Sequence, residues 1–129
     1  MVIDTSALVA IFLNEPDRDH LLEFIVQAEK RLISAAIVVE AGIVLEARRG
    51  EAVARELDLF LHGADIEIVS VDHTQAEQAR LAFRRYGKGR HPAGLNFGDC
   101  FTFALAAVSG EPILAKGEEF RRANLHVLS

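Results

Sequence analysis

The chain reads as an α/β protein with a parallel-stranded central sheet flanked by helices on both faces. Three observations predict this. Short apolar runs of strand length alternate with helical patterns from end to end, the order that builds parallel sheets. The runs Val2-Ile3 and Pro112 to Ala115 are apolar throughout, as strands covered on both faces are. The chain has 129 residues, 50% apolar and 26% charged, which suits one packed domain over residues 1–129.

Each element follows from the pattern of residues. Met1 to Ile3 is an apolar strand that stops at Asp4. Ser6 to Leu13 is a buried helix, with Thr5 or Ser6 as its expected cap, and Asn14-Glu15-Pro16 ends it. Asp17 to Lys30 carries apolar residues at 21, 22, 25, 26 and 28 and forms a second, amphipathic helix packed on the first. Arg31 to Ser34 is a short strand. From Ala35 to Arg49 the residues Ile37, Val38, Ala41, Val44 and Leu45 recur at helical spacing, and Gly50 closes the helix. Glu51 to Leu61 is a further amphipathic helix. Ile66 to Val71 alternates as a strand does, and Asp72 caps a helix from Thr74 to Tyr86. Gly87 to Asn96 is a glycine-rich basic loop. Gly98 to Ser109 is an apolar helix, Pro112 to Ala115 a buried strand, and Leu125 to Leu128 a last strand.

Composition narrows the function. Fourteen basic and nineteen acidic residues leave a net charge of −5, which excludes a polycation that coats nucleic acid but not a local basic groove. One cysteine, Cys100, allows neither an internal disulfide nor a cysteine-pair zinc site, and a reducing, cytoplasmic setting is expected. The start lacks the basic, then apolar, character of a secretory signal. Phe101 to Val108 is too short to span a bilayer, so no membrane is expected.

In parallel sheets the ligand site lies beyond the carboxyl ends of the strands. Asp4 follows the first strand directly. Glu40 stands three residues after Ile37 and four before Val44, so a carboxylate sits on an apolar helix face. Asp99 falls in the first turn of an apolar helix, where the helix dipole favours an anion. Glu118 and Glu119 follow the strand that ends at Ala115. Each has a bland reading: Asp4 as a helix cap, Asp99 as a dipole-satisfying acid, Glu40 as an arginine's partner, Glu118 and Glu119 as solvated loop acids. Convergence of the set is what gives them chemistry, because clustered carboxylates repel one another until a cation joins them. Hard oxygen donors favour Mg²⁺ or Mn²⁺ over zinc, and such an ion serves phosphodiester hydrolysis.

The basic residues Arg80, Arg84, Arg85, Lys88, Arg90 and His91 fall just before Asp99. They are either a solvated helix face and loop or a hold on a nucleic-acid backbone beside the acids. Tyr86 is a candidate base-stacking residue. Leu8, Phe12, Leu22 and Phe24 on the first two helices are either core or a partner surface.

The opening Val2-Ile-Asp-Thr-Ser-Ala-Leu-Val9 with Asn14-Glu-Pro16, the helix bearing Glu40, Leu95-Asn-Phe-Gly-Asp-Cys100 and Leu114-Ala-Lys-Gly-Glu-Glu-Phe120 resemble, in order and spacing, the blocks of PIN-domain proteins. Over essentially its whole length the chain is similar to VapC toxins of VapBC toxin–antitoxin systems, and Tyr86 to Cys100 resembles the VapC30-like branch. The resemblance implies a Mg²⁺- or Mn²⁺-dependent endoribonuclease that inhibits translation by cutting transfer or ribosomal RNA. It implies metal ligation by Asp4, Glu40 and Asp99 and a water- or metal-orienting role for Ser6. It also implies a cognate VapB antitoxin, a homodimer and larger toxin–antitoxin assemblies. Gly117 stands where many PIN domains place a fourth aspartate, so Glu118 or Glu119 is expected to supply that carboxylate. Lys116 pairs with an acid or touches a phosphate. The competing readings are a phosphoacceptor receiver domain, which shares the fold class and a late lysine, and a PIN domain that binds without catalysis. The single carboxylate after the first strand argues against the receiver, and the intact Asp4, Glu40 and Asp99 set argues against an inactive domain.

Overall fold

A computed structural model describes residues 1–128. Five parallel strands form one sheet in the order β3-β2-β1-β4-β5. In chain order the elements are β1 (Val2–Ile3), α1 (Thr5–Phe12), α2 (Arg18–Gln27), β2 (Leu32–Ser34), α3 (Ala35–Arg49) and α4 (Ala52–Gly63). They continue with β3 (Glu67–Val69), α5 (His73–Tyr86), α6 (Phe97–Ser109), β4 (Ile113–Leu114), α7 (Glu119–Arg122) and β5 (Val127–Leu128).

Successive strand residues point to opposite faces, and the two cores follow from that period of two. Ile3, Ile33 and Leu114 enter one core, with Leu8 of α1, Leu21 of α2, Ile37 and Leu45 of α3, and Leu57 of α4. Val2, Leu32 and Ile113 enter the other, with Ala82 of α5, Leu105 of α6 and Phe120 of α7. Strands buried on both faces cannot alternate with polar residues, which is why these read as plain apolar runs. The edge strand β3 differs: Glu67 and Ile68 are exposed.

Several boundaries shift from expectation. The strands are two or three residues long, with Ile66 and Ala115 buried just outside their ends. Asp4, rather than Thr5 or Ser6, caps α1: its carboxylate accepts the Ser6 N–H at 3.0 Å. Asn96 caps α6 in a reciprocal box with Asp99, so the helix begins at Phe97. Glu119 opens a short helix where a loop was expected.

The order of strands reverses at β1. From there the chain moves outward to β2 and β3, then returns to lay β4 and β5 on the other side. A crevice opens beyond the carboxyl ends of β1 and β4, the two strands that flank such a switch point.

Candidate active site

The crevice holds a cleft of about 430 Å³ lined by Asp4, Thr5, Ser6, Glu15, Glu40, Asn96, Asp99, Lys116 and Glu119, with Val9 and Val44. Asp4 is 3% exposed. A buried carboxylate needs partners, and this one has three. Thr102 donates its hydroxyl to Oδ1 at 2.7 Å, and Ser6 donates its N–H and its hydroxyl to Oδ2 at 3.0 and 2.8 Å. The Ser6 hydroxyl also accepts the Lys116 N–H at 2.9 Å. Ser6 therefore fastens Asp4 to the segment that leaves β4, an orienting role toward the carboxylate itself.

Glu40 on α3 reaches across to α1, where the Thr5 hydroxyl donates to its Oε1. Its carboxylate lies against the backbone of Gly98: a Cβ there would stand 1.9 Å from Glu40 Oε2. Only glycine leaves this room. Gly98 thus sets how closely Glu40 approaches the first turn of α6.

Asp99 sits in that first turn. It accepts the Asn96 N–H at 3.0 Å and donates its own N–H to Asn96 Oδ1 at 2.9 Å. Burial raises its pKa from 3.8 to about 7, against the lowering effect of the Asn96 hydrogen bond. The negative charges of Asp4, Glu119 and Glu40 push it further up. Those contributions tie four carboxylates from four separate segments into one field.

The structure separates the two glutamates after β4. Glu119 folds back over Gly117, whose φ of 107° places it in the left-handed region; a Cβ at Gly117 would lie 2.5 Å from Glu119 Oε2. Glu119 lines the cleft and acts on Asp99. Glu118 points elsewhere and meets Arg121 Nη1 at 3.2 Å. Lys116 is also committed: its ammonium binds Glu15 and lies 3.6 Å from Asp17. The one basic residue lining the cleft, among the described residues, thus pairs with acids of the α1–α2 turn and with none of the four.

The residues from 84 to 91 spread over α5 and its loop. Gly87 and Leu95 close the neck of the loop through a bridge, with Lys88 N–H donating to Leu95 O at 2.8 Å. Arg85 and Lys88 are exposed, and Arg84 and Arg90 line a groove between α5 and α6. His91 Nδ1 accepts the Ala93 N–H at 3.0 Å, and its ring meets Tyr86 edge-on at 5.1 Å. Tyr86 also packs on Phe103 at 5.8 Å, so this tyrosine secures the loop base. Leu8 is core, whereas Phe12 and Leu22 line a second groove with Ile11, Arg18, Glu56 and Phe60.

Sequence reasoning missed Thr102, the bracing role of Thr5, and Gly98. Thr102 had a signal: it is the one hydroxyl between Phe101 and Val108, three residues after Asp99 and hence on its face. Gly98 had none, since its importance depends on a residue 58 positions away in the chain.

A divalent cation suits the donor set, which is carboxylate and hydroxyl oxygen, and suits a cluster in which burial first, and the neighbouring acids second, raise the Asp99 pKa to about 7. Among the described residues no three acidic, imidazole or thiol side chains already close on one point. Mg²⁺ does not demand that, because it keeps several waters and takes one or two carboxylates together with substrate phosphate.

Comparison with known proteins gives the family and the fold. The PIN-domain family matches residues 1–125. The chain is 59% identical over 121 residues to a ribonuclease VapC of Mycolicibacterium smegmatis, covering 94% of both chains. It is 53% identical over 126 residues to ribonuclease VapC30 of Mycobacterium tuberculosis, covering 97% of this chain and 95% of that one. Among solved structures it superposes on Mycobacterium tuberculosis VapC20, described as a sarcin–ricin-loop-cleaving toxin, with a TM-score of 0.79. That match has 18% identity and covers 96% of this chain and 95% of the other. The receiver alternative finds no support in these matches.

Proposed function

The chain belongs to the VapC ribonucleases of the PIN-domain family, and from that premise we propose that its acid cleft hydrolyses RNA phosphodiester bonds with Mg²⁺ or Mn²⁺. One observation carries the proposal. Asp4, Glu40, Asp99 and Glu119 come from four segments to one cleft at the sheet's switch point, while the cleft's lysine is bound to Glu15 instead.

Asp4, Glu40 and Asp99 would hold the cation, with Glu119 in the place of the fourth acid. When bound, the ion supplies positive charge to the scissile phosphate and lowers the pKa of a water. The protein's own part is positioning. Thr102 and Ser6 fix both oxygens of Asp4, Thr5 turns Glu40 inward, and Asn96 holds Asp99 by its cap. Neutralising the neighbouring acids would bring the Asp99 proton off, so cation uptake and proton release go together.

The partners that fit are a structured transfer or ribosomal RNA and a VapB antitoxin, in a homodimer that joins larger toxin–antitoxin assemblies. The apolar groove of Ile11, Phe12, Leu22 and Phe60 supports a protein partner. The setting that fits is cytoplasmic, with Cys100 buried and its thiol pKa raised by burial to about 11. No helix among the described residues is long and apolar enough to cross a membrane.

The test is cleavage of total bacterial RNA by the purified chain in Mg²⁺, Mn²⁺ or EDTA. Discrete cuts should appear with metal and disappear with EDTA. Asp4→Asn and Asp99→Asn should lose roughly 10²–10³-fold in rate. Glu119→Gln should lose activity where Glu118→Gln keeps it. Equal cutting by wild type and the aspartate variants would remove the site assignment.

A further inference from the structure

We propose that Ser6 sets the cation selectivity of the acid cleft. By engaging Oδ2 of Asp4 with two hydrogen bonds, it leaves that carboxylate a one-point ligand through Oδ1, which suits Mg²⁺ or Mn²⁺ and discriminates against Ca²⁺. This rests on the metal-dependent ribonuclease reading and adds a selectivity-determining residue to it.

A carboxylate has about four positions at which it accepts a donor, two on each oxygen. Most of these are filled on Asp4. Ser6 takes both on Oδ2, with its N–H at 3.0 Å and its hydroxyl at 2.8 Å, and Thr102 takes one on Oδ1 at 2.7 Å. The position left lies on Oδ1. The other two expected ligands are freer: among the described residues Glu40 is braced at Oε1 alone and Asp99 at Oδ2 alone. Helix capping explains only part of the arrangement at Asp4. Capping of α1 needs an acceptor for the Ser6 N–H, and the hydroxyl bond to the same oxygen is additional.

Neither Ser6 bond is free to move aside for an ion. The N–H belongs to the backbone in the first turn of α1. A serine hydroxyl ordinarily rotates, but this one also accepts the Lys116 N–H at 2.9 Å. That donor is backbone just beyond β4, whose Leu114 carbonyl accepts the Asp4 N–H at 3.0 Å. With a fixed donor behind it, the Ser6 hydroxyl hydrogen is aimed at Asp4. Both residues line the cleft, so an ion entering it meets Asp4 with Oδ2 already engaged.

The ions differ in what they ask of a carboxylate. Ca²⁺ gathers about six to eight oxygens and takes carboxylates through one oxygen or both. Mg²⁺ keeps a tight octahedron made largely of water and uses one or two carboxylates. Confining Asp4 to one point therefore suits Mg²⁺ and denies Ca²⁺ a donor, a selection made by blocking the competitor.

Mn²⁺ titration followed by electron paramagnetic resonance, with Ca²⁺ and Mg²⁺ as competitors, reads the selectivity in the full chain without RNA. Ser6→Ala should improve Ca²⁺ competition relative to Mg²⁺ by about tenfold. Ser6→Thr, which keeps the hydroxyl, should retain the wild-type ratio. Thr102→Val should weaken all three ions alike, because Oδ2 stays engaged. A Ser6→Ala ratio equal to that of wild type overturns the proposal, since a serine with a purely structural role moves all ions together. So does a Thr102→Val ratio shifted as far as that of Ser6→Ala. A crystal structure of the wild type grown with Mn²⁺ needs no variant: the ion should contact Asp4 through Oδ1 alone, and contact with Oδ2 overturns the assignment. Wild type that binds no Mn²⁺ overturns the selector and the metal site together. Wild type that binds Mn²⁺ but cuts no RNA counts against the ribonuclease reading, while the Ser6→Ala ratio still supports or overturns the selector. Normal RNA cutting with an unmoved ratio in Ser6→Ala counts against the selector alone.

Discussion

Two sets of carboxylates face the same cleft, and they are treated differently. Glu15 and Asp17, at the turn between α1 and α2, share the Lys116 ammonium. Asp4, Glu40 and Asp99 have hydroxyls and backbone N–H groups instead, and among the described residues neither they nor Glu119 meets a basic side chain. The first set is ordinary charge compensation at a half-exposed turn. The second is desolvated and self-repelling: burial, with the charges of Asp4, Glu119 and Glu40 behind it, raises the Asp99 pKa to about 7. Natural proteins keep such destabilised clusters where function needs them. The lysine that could have relieved the repulsion is bound by Glu15 and Asp17, which leaves the four acids open to a cation from solution.

Short of replacing a carboxylate itself, the largest effect should come from closing the space that lets the second set assemble. Gly98→Ala puts a methyl where Glu40 Oε2 now stands, 1.9 Å from the new carbon. The nearest atoms are all at the flexible end of Glu40, so the glutamate swings away and the fold survives. Activity should fall by roughly 10²-fold, as for removal of a group that stabilises transition-state charge. Thermal stability should hold or rise, because alanine is favoured over glycine inside a helix by about 0.5–1 kcal/mol. Unfolding of the variant, or full activity, would break the link between Gly98 and Glu40.

The same contrast shows how much could be read beforehand. Asp4, Glu40 and Asp99 were legible because acids at strand ends, on an apolar face or in an apolar helix's first turn stand out against their surroundings. Their braces were not. Thr5 and Thr102 look like any polar residue at a helix start or in a helix interior, and their partners lie 35 and 98 residues away in the chain. The choice of Glu119 over Glu118 depends on α7, which forms where Phe120 buries into the second core, a tertiary event with no local period. The fold class was legible in the apolar runs of β1, β2 and β4. Strand ends were not, since Ile66 and Ala115 share the burial of strand residues yet lie just outside the strands.

A smaller effect tests the raised pKa of Asp99. In the metal-free protein Asp99 holds a proton more tightly when folded, about 7 against 3.8. The native state then binds more protons than the unfolded chain between these values, so the slope of unfolding free energy against pH is negative there. The stability is fully present below pH 3.8 and is lost as pH rises through about 7. Asp99→Asn keeps an oxygen to accept the Asn96 N–H but cannot ionise. In EDTA it should match wild type near pH 3.5 and exceed it by about 1–2 kcal/mol at pH 8, after screening through the open side of the cleft. Denaturant melts at the two pH values give the comparison. Equal stability at pH 8 would mean that burial and the neighbouring acids do not hold the Asp99 pKa up.

The smallest effect concerns the compensated set. Lys116 stood as an RNA-contact candidate, yet its ammonium is held by Glu15 and Asp17, while its backbone N–H braces Ser6. A side-chain substitution leaves that N–H in place. Lys116→Gln should therefore change the rate of RNA cleavage by no more than about twofold, in line with the small worth of exposed ion pairs. A loss as large as that of Gly98→Ala would show the ammonium leaving its carboxylates for the substrate phosphate. The two walls of the cleft would then be one electrostatic unit, with Lys116 serving both.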